Sequence, residues 1–356
     1  MINSAWHNLI SLAPYALSHE EKAAIFAKYG NELVKHHYEH CQPYQNILDF
    51  FHLTEQTFEQ APPLHTSMFK LHELRSIQQN DVFKVTTSSG TTGQQVSKIY
   101  LDKTNIARQQ KILSSIVKEW LGNKRLPMLI IDHPNVIKDR FSYSARGVGI
   151  QGLSLFGHHH TYALNEDMSI NWPCVEGFIE QYKDEKIFIF GFTFMVWQYL
   201  LQLLDKNQKR FELSNALLLH SGGWKKLIDQ AVSNEQFKTT AQQYLGAVNV
   251  HNFYGMVEQT GTIHVECEQG HLHCPTWSDV HVVSPDNLIP LPIKKSGIIE
   301  LHSLLPTSYP GHKILTEDTG FLVGIDDCPC GRKGKYFQVT GRVKRAEIRG
   351  CSDTQS

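Results

Sequence analysis

The run Val85-Thr86-Thr87-Ser88-Ser89-Gly90-Thr91-Thr92-Gly93, entered from the β-branched segment Val82–Val85, constrains this chain more than any other stretch. It crowds hydroxyls and glycines into one loop. Glycine permits close backbone approach and positive φ, so such a loop can wrap N–H groups and hydroxyls around a phosphate. No Gly-Lys-Ser/Thr closes it, so it is not a Walker loop. A polar surface turn is the plain alternative for this stretch taken alone.

The rest of the pattern is that of an α/β protein. Strand-like runs at Pro127–Asp132, Ile187–Phe190 and Ala216–Leu219 are separated by stretches of helical length, which predicts parallel strands. The first ~75 residues read as helical by periodicity. Ser18-His19-Glu20-Glu21 offers a serine cap with early acids, and Ile25, Phe26, Tyr29, Leu33 and Val34 mark one apolar face. Thr66–Lys70 reads as a short connector into the loop. From Gly261 onward short strands dominate, at His281–Val283, Gly297–His302, Gly320–Val323 and Tyr336–Thr340. The apolar segment Ile187–Leu204 reads as a buried strand, a turn at Gly191 and a core helix from Phe194, since polar residues interrupt it; no membrane span is expected.

Net charge −1 gives no electrostatic footprint for nucleic acid, and seven cysteines, an odd number, fit a reducing, cytoplasmic setting better than a disulfide framework. Met1–Ala13 lacks the basic flank and apolar stretch of a secretion signal.

With Lys98 trailing it, Ser88-Ser89-Gly90-Thr91-Thr92-Gly93 resembles the phosphate loop S-G-T-T-G-x-P-K of the acyl- and aryl-adenylate-forming enzymes, without the proline and with the lysine two residues late. Tyr254-Gly255-Met256-Val257-Glu258 resembles that family's Y-G-x-T-E, Thr316–Gly320 its T-G-D, and Gly341-Arg342 the start of its hinge. His220-Ser221-Gly222-Gly223-Trp224 occupies the place of the strand end that packs on adenine. Together, in this order, they form a strong signal. The resemblance implies the large N-terminal domain of that superfamily: residues 1–343, with a helical lead-in (1–75), an α/β core (76–260) of stacked sheets and a small β-rich subdomain (261–343). Residues 344–356 would be a hinge remnant and cysteine-bearing tail, without the usual C-terminal domain and its lysine.

A magnesium-bound triphosphate needs backbone donors, hydroxyls, a cation and a carboxylate. Thr87, Ser88, Ser89, Gly90, Thr91, Thr92 and Gly93 would cradle it and Lys98 supply a point charge. Glu258 would offer Mg²⁺ a hard oxygen. Gly222 and Gly223 would leave room for the adenine face, Trp224, Tyr254 and Gly255 would belong to the same nucleotide site, and Asp318 would accept from the ribose hydroxyls as the matching aspartate does in the family; Arg342 would approach ribose or phosphate. Taken alone, Asp318 also reads as a turn cap before Gly320, and Glu258 as a solvated helix end. Val257 departs from the family's threonine and removes a hydroxyl.

Thr66-Ser67-Met68-Phe69-Lys70, Thr87–Thr91, Gly222-Gly223-Trp224-Lys225 and the terminal Gly350-Cys351 resemble one branch, the acyl-protein synthetases of the bacterial bioluminescence fatty-acid reductase complex. That resemblance implies activation of a long-chain fatty acid with ATP, transfer to Cys351 as a thioester, and delivery to an acyl reductase partner. Lys344, Arg345 and Arg349 would favour the thiolate. Two rivals remain: a ligase that passes the acyl group to coenzyme A or a carrier protein, and a non-catalytic scaffold for a reductase. Phe192–Trp197 are tunnel-lining candidates or plain core.

Cys267, His271, His273, Cys274, Cys328 and Cys330 share the β-rich region. Three thiolates and an imidazole make a structural zinc set. Resemblance to zinc-containing phenylacetate-type CoA ligases favours Cys267, His273, Cys328 and Cys330, with His271 or Cys274 as possible substitutes. His158-His159-His160 reads as a loop with no metal role, because consecutive side chains diverge.

Overall fold

The computed structural model describes residues 5–53, 57–88, 96–137, 145–224 and 230–343. Its helices are α1 (Ala5–Ile10), α2 (His19–Ile25), α3 (Asn31–His40), α4 (Gln42–Phe50), α5 (Met68–Leu71), α6 (Lys103–Leu121), α7 (Ala145–Ser154), α8 (Trp172–Tyr182), α9 (Thr193–Val196), α10 (Gln202–Lys206) and α11 (Asn234–Leu245). The strands are β1 (Leu64–His65), β2 (Lys84–Thr87), β3 (Lys98–Leu101), β4 (Leu126–Ile130), β5 (Gly157–Tyr162), β6 (Ile187–Phe192), β7 (Leu213–Ser221), β8 (Gly246–Tyr254), β9 (His264–Val265), β10 (Leu272–His273), β11 (Ser278–Val283), β12 (Gly297–Ser303), β13 (Lys313–Ile325) and β14 (Lys335–Arg342). The described residues fall into two compact units, the first holding those of 1–88, 93–116 and 255–347, the second those of 117–254.

In the first unit the helical lead-in forms as its periodicity predicts. Ser18 caps α2: its hydroxyl accepts from the Glu21 N–H, and Glu21 accepts from the Ser18 N–H at 2.7 Å. Such a cap is worth about 1 kcal/mol. Leu33 and Val34 are fully buried. A six-stranded sheet runs β10-β14-β13-β12-β11, and β1 joins β13 in parallel, pairing Leu64 with Ile314 and His65 with Leu315. A separate antiparallel hairpin, β2–β3, opposes Thr87 to Lys98. The N-terminal segment is sewn to the far end of the chain: Thr276 donates to the Ala13 and Pro14 carbonyls, Trp277 Nε1 to the Leu9 carbonyl, and the Lys333 N–H to the Tyr15 carbonyl.

The second unit is the predicted parallel sheet, in the order β5-β4-β6-β7-β8. Phe188, Ile189 and Phe190 are fully buried, as in a sheet covered on both faces. Two expectations are corrected here. Gly191 is not a turn but lies inside β6, where a Cβ would come within 2.7 Å of Val196 Cγ2 and 2.9 Å of Ile131 Cβ. His158–His160 are not a loop but half of edge strand β5, bent at His159, whose φ is +46°. That bend brings Nδ1 of His158 and Nδ1 of His159 to 2.7 Å, a convergence that strand alternation forbids. Met195 and Val196 are fully buried and Trp197 stacks on Phe237, so this segment packs as core. Among the described residues no helix is long and apolar enough to cross a membrane.

Candidate active site and metal knuckle

In a parallel α/β sheet, ligands bind beyond the carboxyl ends of the strands. In the second unit those ends carry Asp132 and His133 after β4, Thr193 after β6, Ser221–Gly223 at β7 and Tyr254 at β8. Ser221 anchors the glycine turn by donating its hydroxyl to the Phe253 carbonyl at 2.8 Å. Gly222 has φ +87° and backs onto Phe192, whose Cδ1 lies 3.1 Å from a built Cβ; Gly223 has nothing within 4 Å of one. A flat ring can therefore approach Gly223. Trp224 packs edge-on against Trp197. Below the turn, His220 shares a 2.9 Å hydrogen bond with Thr193, and burial drives its imidazole down to about 3, so it stays neutral.

Sequence reasoning missed a further polar group at this edge. Asp132 and Arg146, both buried, pair at 3.0 Å, and burial pushes the Asp132 carboxyl up to about 6 despite the arginine. Its position at a strand's carboxyl end was the available signal.

The first unit holds a second set of predicted residues. Glu258 sits in a 3-10 turn, Val257–Gln259, that follows Gly255. The turn is fixed by the Tyr309 hydroxyl, which donates to the Glu258 carbonyl, and by Gln259 Nε2, which donates to the Leu301 and Gly311 carbonyls. Glu258 is not a solvated helix end: its side chain is buried, which raises its pKa, while Ser97 and Lys70 pull it down. Asp318 is no turn cap but lies within β13. Its N–H donates to Thr316 Oγ1, whose own proton goes to the Ile299 carbonyl at 2.8 Å. Arg342 on β14 sits opposite Asp318, with Nε 3.3 Å from its carboxylate and NH2 2.9 Å from Glu317. Glu317 also faces the Lys70 ammonium at 3.9 Å.

At the base of the candidate phosphate loop, the Ser88 N–H donates to the Ser97 carbonyl and the Ser97 N–H to Ser88 Oγ, which ties β2 to β3. Thr87 and Lys98 face each other there, Lys98 exposed. Ser89, Gly90, Thr91, Thr92 and Gly93 lie outside the described residues, as do Lys225, Lys344, Arg345, Arg349 and Cys351.

The metal-type residues converge without rearrangement. One donor atom from each of Cys267, His273, Cys328 and Cys330 lies within 4.8 Å of every other. The sulfurs of Cys267 and Cys328 are 3.9 Å apart, and Cys330 Sγ is 3.4 Å from His273 Nε2. Tetrahedral zinc with Zn–S near 2.3 Å requires sulfur–sulfur edges of roughly 3.8 Å, so the donor set fits. Burial lowers His273 to about 3, leaving a neutral imidazole, and raises Cys328 to about 12. Cys274 instead lies buried beside Lys22, also raised to about 12 by burial. His271 Nδ1 is 3.5 Å from Cys328 Sγ but falls outside the group of mutually close donors. A second group, Asp279, His281 and His302, also converges, but Lys335 already holds Asp279 at 2.7 Å and Glu300 holds His302 at 2.6 Å.

Residues 2–356 match the family described as Acyl-protein synthetase, LuxE. The chain belongs to this family. LuxE-family relatives named long-chain-fatty-acid–luciferin-component ligase come from Aliivibrio fischeri (25% identical, covering 95% of this chain and 90% of the relative) and Vibrio harveyi (22%, 96% and 90%). Among solved structures, an open conformation of 2-hydroxyisobutyryl-CoA ligase with 2-HIB-AMP and CoA superposes with TM-score 0.71 at 15% identity, over 94% of this chain and 72% of that one. The same ligase in its postadenylation state gives 0.70 at 14% identity, over 93% and 70%. The fold is that of the adenylate-forming ligases, and the LuxE-family chain is an enzyme of the ligase type.

Proposed function

We propose that this enzyme activates a long-chain fatty acid with ATP and then carries the acyl group on Cys351. The fatty-acid carboxylate attacks the α-phosphorus; the bond from that phosphorus to its bridging oxygen breaks, and pyrophosphate leaves with the electron pair. The Cys351 thiolate then attacks the acyl carbon of the adenylate, AMP leaves, and the thioester waits for an acyl reductase partner.

The observation that supports this reading is the pairing of Asp318 with Arg342, with Glu258 buried in the same unit of a LuxE-family chain. Arg342 orients Asp318 to accept from the ribose hydroxyls. Glu258 would hold Mg²⁺ through a carboxylate oxygen; the ion supplies charge neutralisation on the phosphates. Thr87, Ser88, Ser89, Gly90, Thr91, Thr92, Gly93 and Lys98 grip the phosphates, and Gly222, Gly223, Trp224, Tyr254 and Gly255 take the base. Most of the acceleration in such a displacement comes from positioning and fixed charge. Cys267, His273, Cys328 and Cys330 would hold a closed structural zinc with no part in the chemistry.

The test is intact-protein mass after incubation with Mg-ATP and a panel of fatty acids, with and without hydroxylamine. A hydroxylamine-labile acyl adduct on wild type, missing from Cys351→Ala, supports the reading. Pyrophosphate release without an adduct moves the acceptor outside the chain, to coenzyme A or a carrier protein. Neither ATP binding nor pyrophosphate exchange with any acid would leave the scaffold reading.

A further inference from the structure

Lys70 belongs to none of the motifs that bind nucleotide in the reading above, yet within the first unit the fold brings it to Glu317, the neighbour of Asp318. The parallel pairing of β1 with β13, continued by the Thr66 N–H donating to the Leu315 carbonyl, fixes the start of the Thr66–Lys70 turn beside the Thr316–Asp318 segment. His65 Nδ1 and Ser67 Oγ, 2.7 Å apart, lock that turn, and α5 packs against both β1 and β3, the strand that leaves the phosphate loop. Phe69 is buried edge-on against Tyr309, whose hydroxyl holds the Glu258 carbonyl. The next side chain, Lys70, is only 15% exposed, and its charge acts on both Glu317 and Glu258.

At 3.9 Å the Lys70–Glu317 contact is an ion pair beyond hydrogen-bond distance, while Glu317 is gripped from its other oxygen by Arg342 at 2.9 Å. Glu317 stands between Thr316 and Asp318, where the T-G-D motif they resemble has glycine. The added carboxylate thus holds a lysine next to the ribose-binding aspartate and the magnesium-binding glutamate. A group between those two ends of the nucleotide faces the α-phosphate.

The geometry points to Lys70 as a catalytic residue of adenylation, its ammonium leaving Glu317 to contact the α-phosphoryl oxygens while the fatty-acid carboxylate attacks and pyrophosphate departs. This rests on the adenylation reading above. No proton moves; the ammonium offsets the negative charge that two anions bring to one phosphorus. A compact, flexible point charge suits that task better than a rigid guanidinium fork.

The test is ATP–pyrophosphate exchange by the full-length protein with fatty acids, comparing wild type with Lys70→Met and Lys70→Arg. Methionine retains the apolar stem and removes only the charge. Lys70→Met should lower kcat by about 10²–10³-fold, the usual cost of one lost oxyanion donor, with KM for ATP and melting temperature near wild type. Lys70→Arg should recover part of the loss. Exchange by Lys70→Met at the wild-type rate overturns the proposal and leaves the adenylation reading standing. A parallel rise in KM and fall in melting temperature reassigns Lys70 to a structural role and also overturns it. Wild type without exchange for any acid overturns both.

Discussion

Tyr309 donates its hydroxyl to the backbone carbonyl of Glu258 at 2.9 Å, and both residues are buried. The hydrogen bond spans fifty-one positions in sequence and sets where the glutamate side chain leaves the backbone. Tyr309→Phe leaves that carbonyl without its donor, a cost of about 1–2 kcal/mol. The expected outcome is a modestly lower urea midpoint and a larger fall in pyrophosphate exchange, because the group displaced is the one proposed to hold Mg²⁺. Chemical denaturation and exchange kinetics on the same preparation check it.

Purified protein should carry zinc equimolar with the chain by atomic spectroscopy. Cys328→Ser and His273→Ala should lose it; Cys274→Ser and His271→Ala should keep it, since neither side chain is in the converging set. A metal that binds the folded state alone stabilises by about 4 kcal/mol at 1,000 times its Kd, so chelation should lower the melting temperature well before it touches acyl chemistry.

Acid should unfold the first unit early. Burial lowers His312 and His281 to about 3 and holds His37 well below its ordinary value, and His37 stacks on His312 with ring centres 5.0 Å apart. Folded, they stay neutral; unfolded, each takes up a proton below about 6.5. The unfolded state therefore binds more protons, and stability present above that pH is lost as pH falls toward the folded values, at about 1.4 kcal/mol per pH unit for each fully uncoupled histidine. Asp279 and Glu300, whose pKa values are lowered because the attraction of Lys335 and His302 outweighs burial, add to the loss at still lower pH. In the second unit, Asp132 acts in the opposite sense. The urea midpoint should fall steadily from about pH 6.5 to pH 4, and His312→Asn should flatten the slope.

Two glycines at the second unit's strands should respond in opposite ways to alanine. Gly191→Ala forces its methyl into Val196 and Ile131 and should cost about 1–3 kcal/mol as overpacking. Gly223→Ala meets nothing within 4 Å and should leave the melting temperature unchanged, while raising KM for ATP if adenine lies against it. Thermal melts paired with exchange kinetics separate the two effects.

What could be read in the chain was whatever a short window contains. The Ser18 cap and the parallel strands each follow from local pattern, and the Cys/His candidates stood out because they share one β-rich stretch, the resemblance choosing the four that converge. What stayed hidden depends on partners distant in sequence. Gly191 reads as a turn until Ile131 and Val196 close around it. The histidine triplet reads as a loop because only the backbone bend at His159 reveals the strand. Lys70 looked like part of a connector, since nothing local announces that β1 will pair with β13 some 250 residues on.

That pairing also sets an order of events during synthesis. The second unit is built largely from one continuous stretch, 117–254, and can close as soon as that stretch has left the ribosome. The first cannot. Leu64 waits for Ile314, and the Tyr15 carbonyl for Lys333, so a segment made early is among the last to find its place. For most of translation the amphipathic lead-in has no permanent neighbour, which makes it the segment with the longest exposure to chaperones and proteases.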